Sequence, residues 1–168
     1  GSLGSALVRA LVADGDEVSA MVLPGDRMGG IEPVRDNVQI RFADVRDPVT
    51  LDQAFRDVEI VYHVAGVAVT LNRLHRQMLA VNVDGARNVA EAAARAGVRR
   101  LVHTSSISAV GYPPAGEIAD EHFDMTRSVC SNSYAETKTI GERALLEVAE
   151  RRGLDADGLR LGVTVAAH

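Results

Sequence analysis

Hydrophobic and polar positions follow two alternating periods along this chain. Residues 2–13 carry apolar residues at helical spacing and stop at Asp14-Gly15, a C-terminal signal, so a helix is expected there. Glu17 to Leu23 is a short β-prone run closed by Pro24-Gly25. Val38 to Phe42 alternates as a strand does. Asp47-Pro48 opens a helix through Phe55, with the proline in the first turn, where its missing N–H is no loss. Glu59 to Val64 reads as a buried strand, and a long helical region covers 72–96 and ends at Gly97. Arg99 to Ser106 is a strand that runs into hydroxyl residues. A loop rich in glycine and proline, from Gly111 to about Ser131, precedes a last helix to Arg152, and residues 159–165 read as one more strand.

Strands that alternate with helices of this length pair in parallel through crossovers. The expected fold is therefore α/β, a doubly wound, mostly parallel sheet, Rossmann-like, in one domain spanning residues 1–168. No internal repeat, linker or low-complexity tract interrupts it.

Composition narrows the function classes. Apolar residues make up 46% of the 168, enough for a packed core, and the net charge is −5 with no basic block longer than Arg99-Arg100. Nucleic acid is not an expected partner. No apolar stretch approaches the ~20 residues that span a bilayer, so no membrane partner is expected and the cytoplasm is the default location. A single cysteine, Cys130, cannot form an internal disulfide and reads as a loop thiol.

The most informative chemistry is Tyr134 and Lys138. Four residues apart on a helix, their side chains leave one face, one turn above the other. A phenol beside a fixed ammonium is easier to deprotonate, so the pair can exchange a proton with a carbonyl or an alcohol. At the other end, Gly1 and Gly4 flank Leu3 at the start of a helix, where free N–H groups and the helix dipole attract phosphate. A competing reading makes Gly1-Ser2 the remnant of an expression tag. His63 and His103 lack a carboxylate or cysteine cluster at ligand spacing, so no metal is expected; they read as buried, hydrogen-bonded neutral imidazoles.

Taken in order, these motifs resemble the extended short-chain dehydrogenase/reductase family, its NAD(P)-dependent epimerase/dehydratase and dihydroflavonol-reductase-like group. Gly1 and Gly4 look like the last glycines of a Gly-x-x-Gly-x-x-Gly loop, and Asp44-Val45 like the pair that contacts adenine. Val61 to Gly66, with Val64, Ala65 and Gly66 at its end, resembles the strand and turn that run past the cofactor. Val81 to Gly85 with the following helix, Leu101 to Ser106, and Tyr134 to Lys138 complete the match.

The resemblance implies Tyr134 as acid/base and Lys138 as the residue that activates it and bonds the nicotinamide ribose. It makes Ser106 the hydroxyl that holds the substrate oxygen, with Ser105 competing. Asn82 either positions a water or the active-site helix, or makes an internal hydrogen bond that ties the helix to the sheet. Asp44 contacts adenine or only caps a turn. It further implies NAD(P) as cofactor and a carbonyl, alcohol or nucleotide-sugar substrate. The main expectation is a reductase or dehydrogenase; an epimerase/dehydratase and a non-catalytic NAD(P) sensor are the alternatives. Pairing into a homodimer through the Tyr134 helix is also implied. Neither an acidic residue nor an arginine stands at Val22-Leu23, where the ribose is usually read; Arg27 tilts the choice toward NADP.

Two features depart from the pattern. No strand precedes Gly1, although the order 3-2-1-4-5-6 puts the first strand at the centre of the sheet, and Leu161 stands where the family has proline. We therefore expect residues 1–168 to be part of a longer enzyme whose substrate-binding region lies beyond them.

Overall fold

The computed structural model describes residues 1–69, 74–120, 122–123 and 132–162. Cys130, most of the second half of the Gly111–Ser131 loop and residues 163–165 of the expected last strand lie outside them. The regular elements follow the expected alternation. They are α1 (Ser2–Ala13), β1 (Val18–Val22), β2 (Val38–Phe42), α2 (Pro48–Ala54), β3 (Ile60–His63), α3 (His75–Met78), α4 (Gly85–Ala96), β4 (Arg100–Ser106), α5 (Ser133–Arg152) and β5 (Asp155–Leu161).

Local chemistry explains most boundaries. The Asp47 carboxylate accepts from the Val49 N–H at 3.0 Å, with Pro48 opening α2. Asn132 caps α5 by accepting from the Ala135 N–H at 2.9 Å. Gly97 and Gly153 close α4 and α5 at φ of 72° and 68°, a left-handed conformation that costs other residues energy.

Every strand pair among the described residues is parallel. β1 pairs with β2 in one ladder, and β3, β4 and β5 form another in that order. No ladder joins β1 to β3 among the described residues, and the order expected from the resemblance puts one further parallel strand between them. The main core lies where α2, α4 and α5 meet the β3–β4–β5 ladder. Ala86, Ala90 and Ala93 of α4 are wholly buried there, and their small side chains let Leu51, Leu101 and Leu145 approach closely. A smaller cluster packs α1 against Val18, Ala20, Ile31 and Val38. No helix among the described residues is long and apolar enough to cross a membrane.

Two elements differ from the sequence reading. The last strand starts at Asp155, not at residue 159. Asp155, Asp157 and Gly158 are poor strand formers, but register with β4 overrides propensity: Arg100 pairs with Asp155 and lies in an ion pair with both Asp155 and Asp157. The helical region ending at Gly97 is not continuous either. Between α3 and α4 the chain takes a π turn, Leu79–Asp84, with Asn82 buried inside it.

Candidate active site

Lys138 is the fixed point of the site. The residue is 6% exposed, and Nζ donates to the Thr104 carbonyl at 2.7 Å, near the end of β4. Pairing of β3 with β4 stops at His63–His103, so the last residues of β4 have a ladder only on the β5 side among the described residues. Burial pushes the Lys138 ammonium down to about 8, and Glu142, one turn further along α5, opposes that by favouring the charge. Glu142 is itself buried and held by Arg160 of β5, whose Nε lies 3.0 Å from one carboxylate oxygen. An ammonium held this way keeps a defined position from which to act on neighbouring groups.

Ser106 ends the same strand. Its Oγ accepts from the Ser108 N–H at 3.1 Å, leaving the hydroxyl hydrogen to donate elsewhere. Ser105, one residue earlier, points to the opposite face by strand alternation, the face of Leu101 and the core, and its buried Oγ has no partner among the described residues. α5 is anchored to the turn after Ser106, since the Thr139 hydroxyl donates to the Ala109 carbonyl at 3.3 Å. Tyr134 stands half-buried in the first turn of α5, one turn before Lys138. Lys138 is thus held on Thr104, two residues before Ser106 at the end of β4, and Tyr134 lies one turn before Lys138 on the same helix.

Several other expected site residues are partly committed. Val45 packs against Gly85, where an added Cβ would meet its Cγ2 at 2.7 Å, and its carbonyl accepts from Asn88 at 3.0 Å. The Asp44 carboxylate accepts from the Arg46 backbone at 2.9 Å and from Arg46 Nε at 3.0 Å, a hydrogen-bonded pair that holds the acid below the usual range. The turn reading of Asp44 is therefore present in the structure, and an adenine contact through the carboxylate has to share it with Arg46. Asn82 bonds the loop after β3 to α5: Oδ1 accepts from the Val67 N–H at 2.8 Å, while Nδ2 donates to the Val67 carbonyl at 3.1 Å and to Thr137 Oγ1 at 3.2 Å. Both amide hydrogens are used inside the protein.

A dinucleotide suits what remains. The first turn of α1 has no side-chain cap and no acidic residue, and its first internal bond runs from Ser5 N–H to the Gly1 carbonyl at 3.0 Å. The N–H groups of Ser2, Leu3 and Gly4 are therefore available to an anion. A Cβ on Gly4 would lie 3.9 Å from Val64, so this helix end opens beside the residue that follows β3. Exposed Ala65 and Gly66 come next.

His63 and His103 are buried and stacked, ring centroids 5.0 Å apart. They are not fully hydrogen-bonded as expected: among the described residues His63 Nε2 and His103 Nδ1 have no partner, because each ring faces the other and apolar neighbours. Burial, together with His103 and the Lys138 charge, keeps His63 far below its ordinary range; burial and Lys138 bring His103 from 6.5 to about 3. Both stay neutral at neutral pH, and in the unfolded chain both take up a proton near pH ~6.5. The unfolded state then binds more protons below that pH, so stability is lost as pH falls from about 6.5 toward 3. His103 alone should cost about 2 kcal/mol at pH ~5. Thermal unfolding of His103→Gln between about pH 7 and pH 4.5 should show a shallower acid slope than the parent; an identical slope would remove His103 from the account.

Sequence reading does not single out Thr137, Gly141 or Glu142. Gly141, an isolated glycine inside a long helical pattern, is the available signal. A Cβ there would lie 2.0 Å from the Asn82 carbonyl oxygen, so α5 rests directly on the π turn.

The chain is similar to proteins of known family. The model of the 3-beta hydroxysteroid dehydrogenase/isomerase family matches residues 1–166. Sterol demethylase protein B of Methylococcus capsulatus is 36% identical over 155 residues, covering 92% of this chain and 46% of that protein. The 3beta-hydroxysteroid-dehydrogenase/decarboxylase isoform 2 of Arabidopsis thaliana is 33% identical, covering 88% of this chain and 25% of that protein. Among solved structures, UDP-glucose 4-epimerase of Thermus thermophilus in complex with NAD superposes with a TM-score of 0.77 at 30% identity, covering 95% of this chain and 51% of that one. The chain thus spans about half, or less, of the length of these relatives.

Proposed function

The chain belongs to the 3-beta hydroxysteroid dehydrogenase/isomerase family, within the extended short-chain dehydrogenases/reductases, and from that footing we propose an NAD(P)-dependent oxidoreductase. It moves hydride between nicotinamide and a carbonyl or alcohol carbon. The observation that carries the reading is the Lys138 ammonium, buried and held on the Thr104 carbonyl, with Ser106 two residues along β4 and Tyr134 one turn back on α5.

A bound nicotinamide supplies or accepts the hydride. The Tyr134 hydroxyl gives its proton to the substrate oxygen during reduction and takes it back during oxidation. Lys138 would bond the nicotinamide ribose. The free hydrogen of the Ser106 hydroxyl donates to the substrate oxygen as charge grows on it. The open N–H groups at the start of α1 hold the pyrophosphate, and Asp44 with Val45 borders the adenine.

The residues that follow Ser106 favour an apolar substrate. Ile107 is 58% exposed and Tyr112 53%, soon after the serine. A neutral alcohol or ketone of the sterol kind, as in the names of the Methylococcus and Arabidopsis relatives, fits better than a nucleotide sugar.

NADP is favoured by Arg27, exposed just past the Pro24-Gly25 turn at the end of β1, with no carboxylate at Val22 or Leu23. Asp26, the nearest acid, accepts from the Met28 N–H at 2.7 Å. The test uses the enzyme at its natural length. NADPH should be consumed one for one with a sterol-type ketone, and Arg27→Ala should raise KM for NADPH about tenfold while sparing NADH, a loss of about 1.4 kcal/mol. Interconversion of UDP-sugars with no net change in nicotinamide would overturn the oxidoreductase reading.

A further inference from the structure

We propose that Thr137 is a positioning residue that holds Tyr134 in register with the loop after β3; the inference rests on Tyr134 acting as acid/base. Thr137 is wholly buried on α5. Threonine is a mediocre helix former, so helix propensity does not account for its presence in the second turn. A hydroxyl has one hydrogen to give and two lone pairs to offer, and here it uses both functions. It donates to the Tyr134 carbonyl at 3.1 Å and accepts from Asn82 Nδ2 at 3.2 Å.

Asn82 extends that chain. Its other amide hydrogen and its Oδ1 clamp the Val67 carbonyl and N–H at 3.1 and 2.8 Å. Val67 follows Gly66 in the loop that leaves β3, so an unbroken set of hydrogen bonds runs from that loop, through the π turn, to the backbone of the reacting tyrosine. Gly141 sets a second contact one turn further along α5, against the Asn82 backbone. Two contacts on one helix, a turn apart, fix its rotation as well as its position. The Thr137 contact reaches into the first turn, where helix ends otherwise fray and where Tyr134 sits.

Misplacement of a reacting group by about 1 Å costs on the order of a hundredfold in rate. In the enzyme at its natural length, Thr137→Val, which keeps the volume and removes the hydroxyl, should lower kcat by about 10- to 100-fold. KM for the nicotinamide cofactor should stay within about twofold, because the groups that bind it are untouched. Thr137→Ser, which restores the hydroxyl, should recover kcat to within about threefold. If Thr137→Val does not fold, Thr137→Ala beside Thr137→Ser gives the same comparison.

A kcat for Thr137→Val close to the parent value would overturn the proposal. So would a Thr137→Ser no better than Thr137→Val, since volume alone would then explain the loss. Tyr134→Phe is measured alongside. If that variant turns over normally, the acid/base reading fails and this inference with it. If Tyr134→Phe is inactive and Thr137→Val is normal, only the positioning role is lost.

Discussion

Tyr134→Phe is expected to lower kcat by about two to four orders of magnitude, the usual contribution of a positioned general acid or base. The substitution removes one oxygen and keeps the ring, so packing in the first turn of α5 is preserved. Lys138 would keep its bond to the Thr104 carbonyl, because that contact does not involve the phenol. Cofactor affinity, read by quenching of nicotinamide fluorescence, should therefore stay within a few-fold of the parent. The measurement is single-turnover reduction in the enzyme at its natural length, which separates chemistry from product release. Turnover within about tenfold of the parent would remove the hydroxyl from the mechanism. Loss of cofactor binding in parallel would mean that the variant had moved the helix, and not merely a proton donor.

Gly141→Ala should be destabilising, against the ordinary expectation for a glycine inside a helix. On propensity alone the change gains about 1 kcal/mol. Here the added Cβ would stand 2.0 Å from the Asn82 carbonyl oxygen and 3.0 Å from its carbon. Both are backbone atoms in a buried π turn, so they cannot swing aside as a flexible side chain can. Overpacking of this kind costs about 1–3 kcal/mol or more, and the net effect is a loss. For a domain of this size each kcal/mol moves Tm by about 2–4 °C. Separation of α5 from the π turn would also shift Tyr134 and Lys138, so activity should fall further than stability. Thermal unfolding with kinetics on the folded fraction tests both parts; an unchanged or raised Tm would contradict the close approach.

Gly141 also illustrates what can be read from the chain and what cannot. Most element boundaries are legible because their signals are local. Asp47-Pro48, Asn132, Gly97 and Gly153 act through backbone geometry and bonds to residues a few positions away. The Tyr134–Lys138 pair is legible for the same reason, since one turn of helix makes them neighbours whatever surrounds them. Ser106 and the opening glycines are recognisable through resemblance, not through any pattern of spacing strong enough alone.

Other features depend on partners far along the chain. Thr137 looks like a solvent-tolerant helix residue until Asn82, 55 positions away, is found against it. Glu142 looks like a surface charge until β5 brings Arg160 over it. The two histidines look like independent strand residues until the β3–β4 register stacks them. The start of β5 is hidden in the sequence because Asp155, Asp157 and Gly158 disfavour strands alone, and only the ladder with β4 and the Arg100 ion pairs make them one.

The amino-acid order by itself determined the alternation of elements, the parallel α/β class and the placing of Tyr134 and Lys138 on one helix face. These follow from short-range periodicity and from turn chemistry that needs no distant partner. Tertiary structure alone decided how deeply Lys138 is buried, which carbonyl holds it, and what locks the first turn of α5 to the loop beyond β3. Those outcomes depend on desolvation and on hydrogen bonds closed between distant segments, and neither exists until the chain has packed.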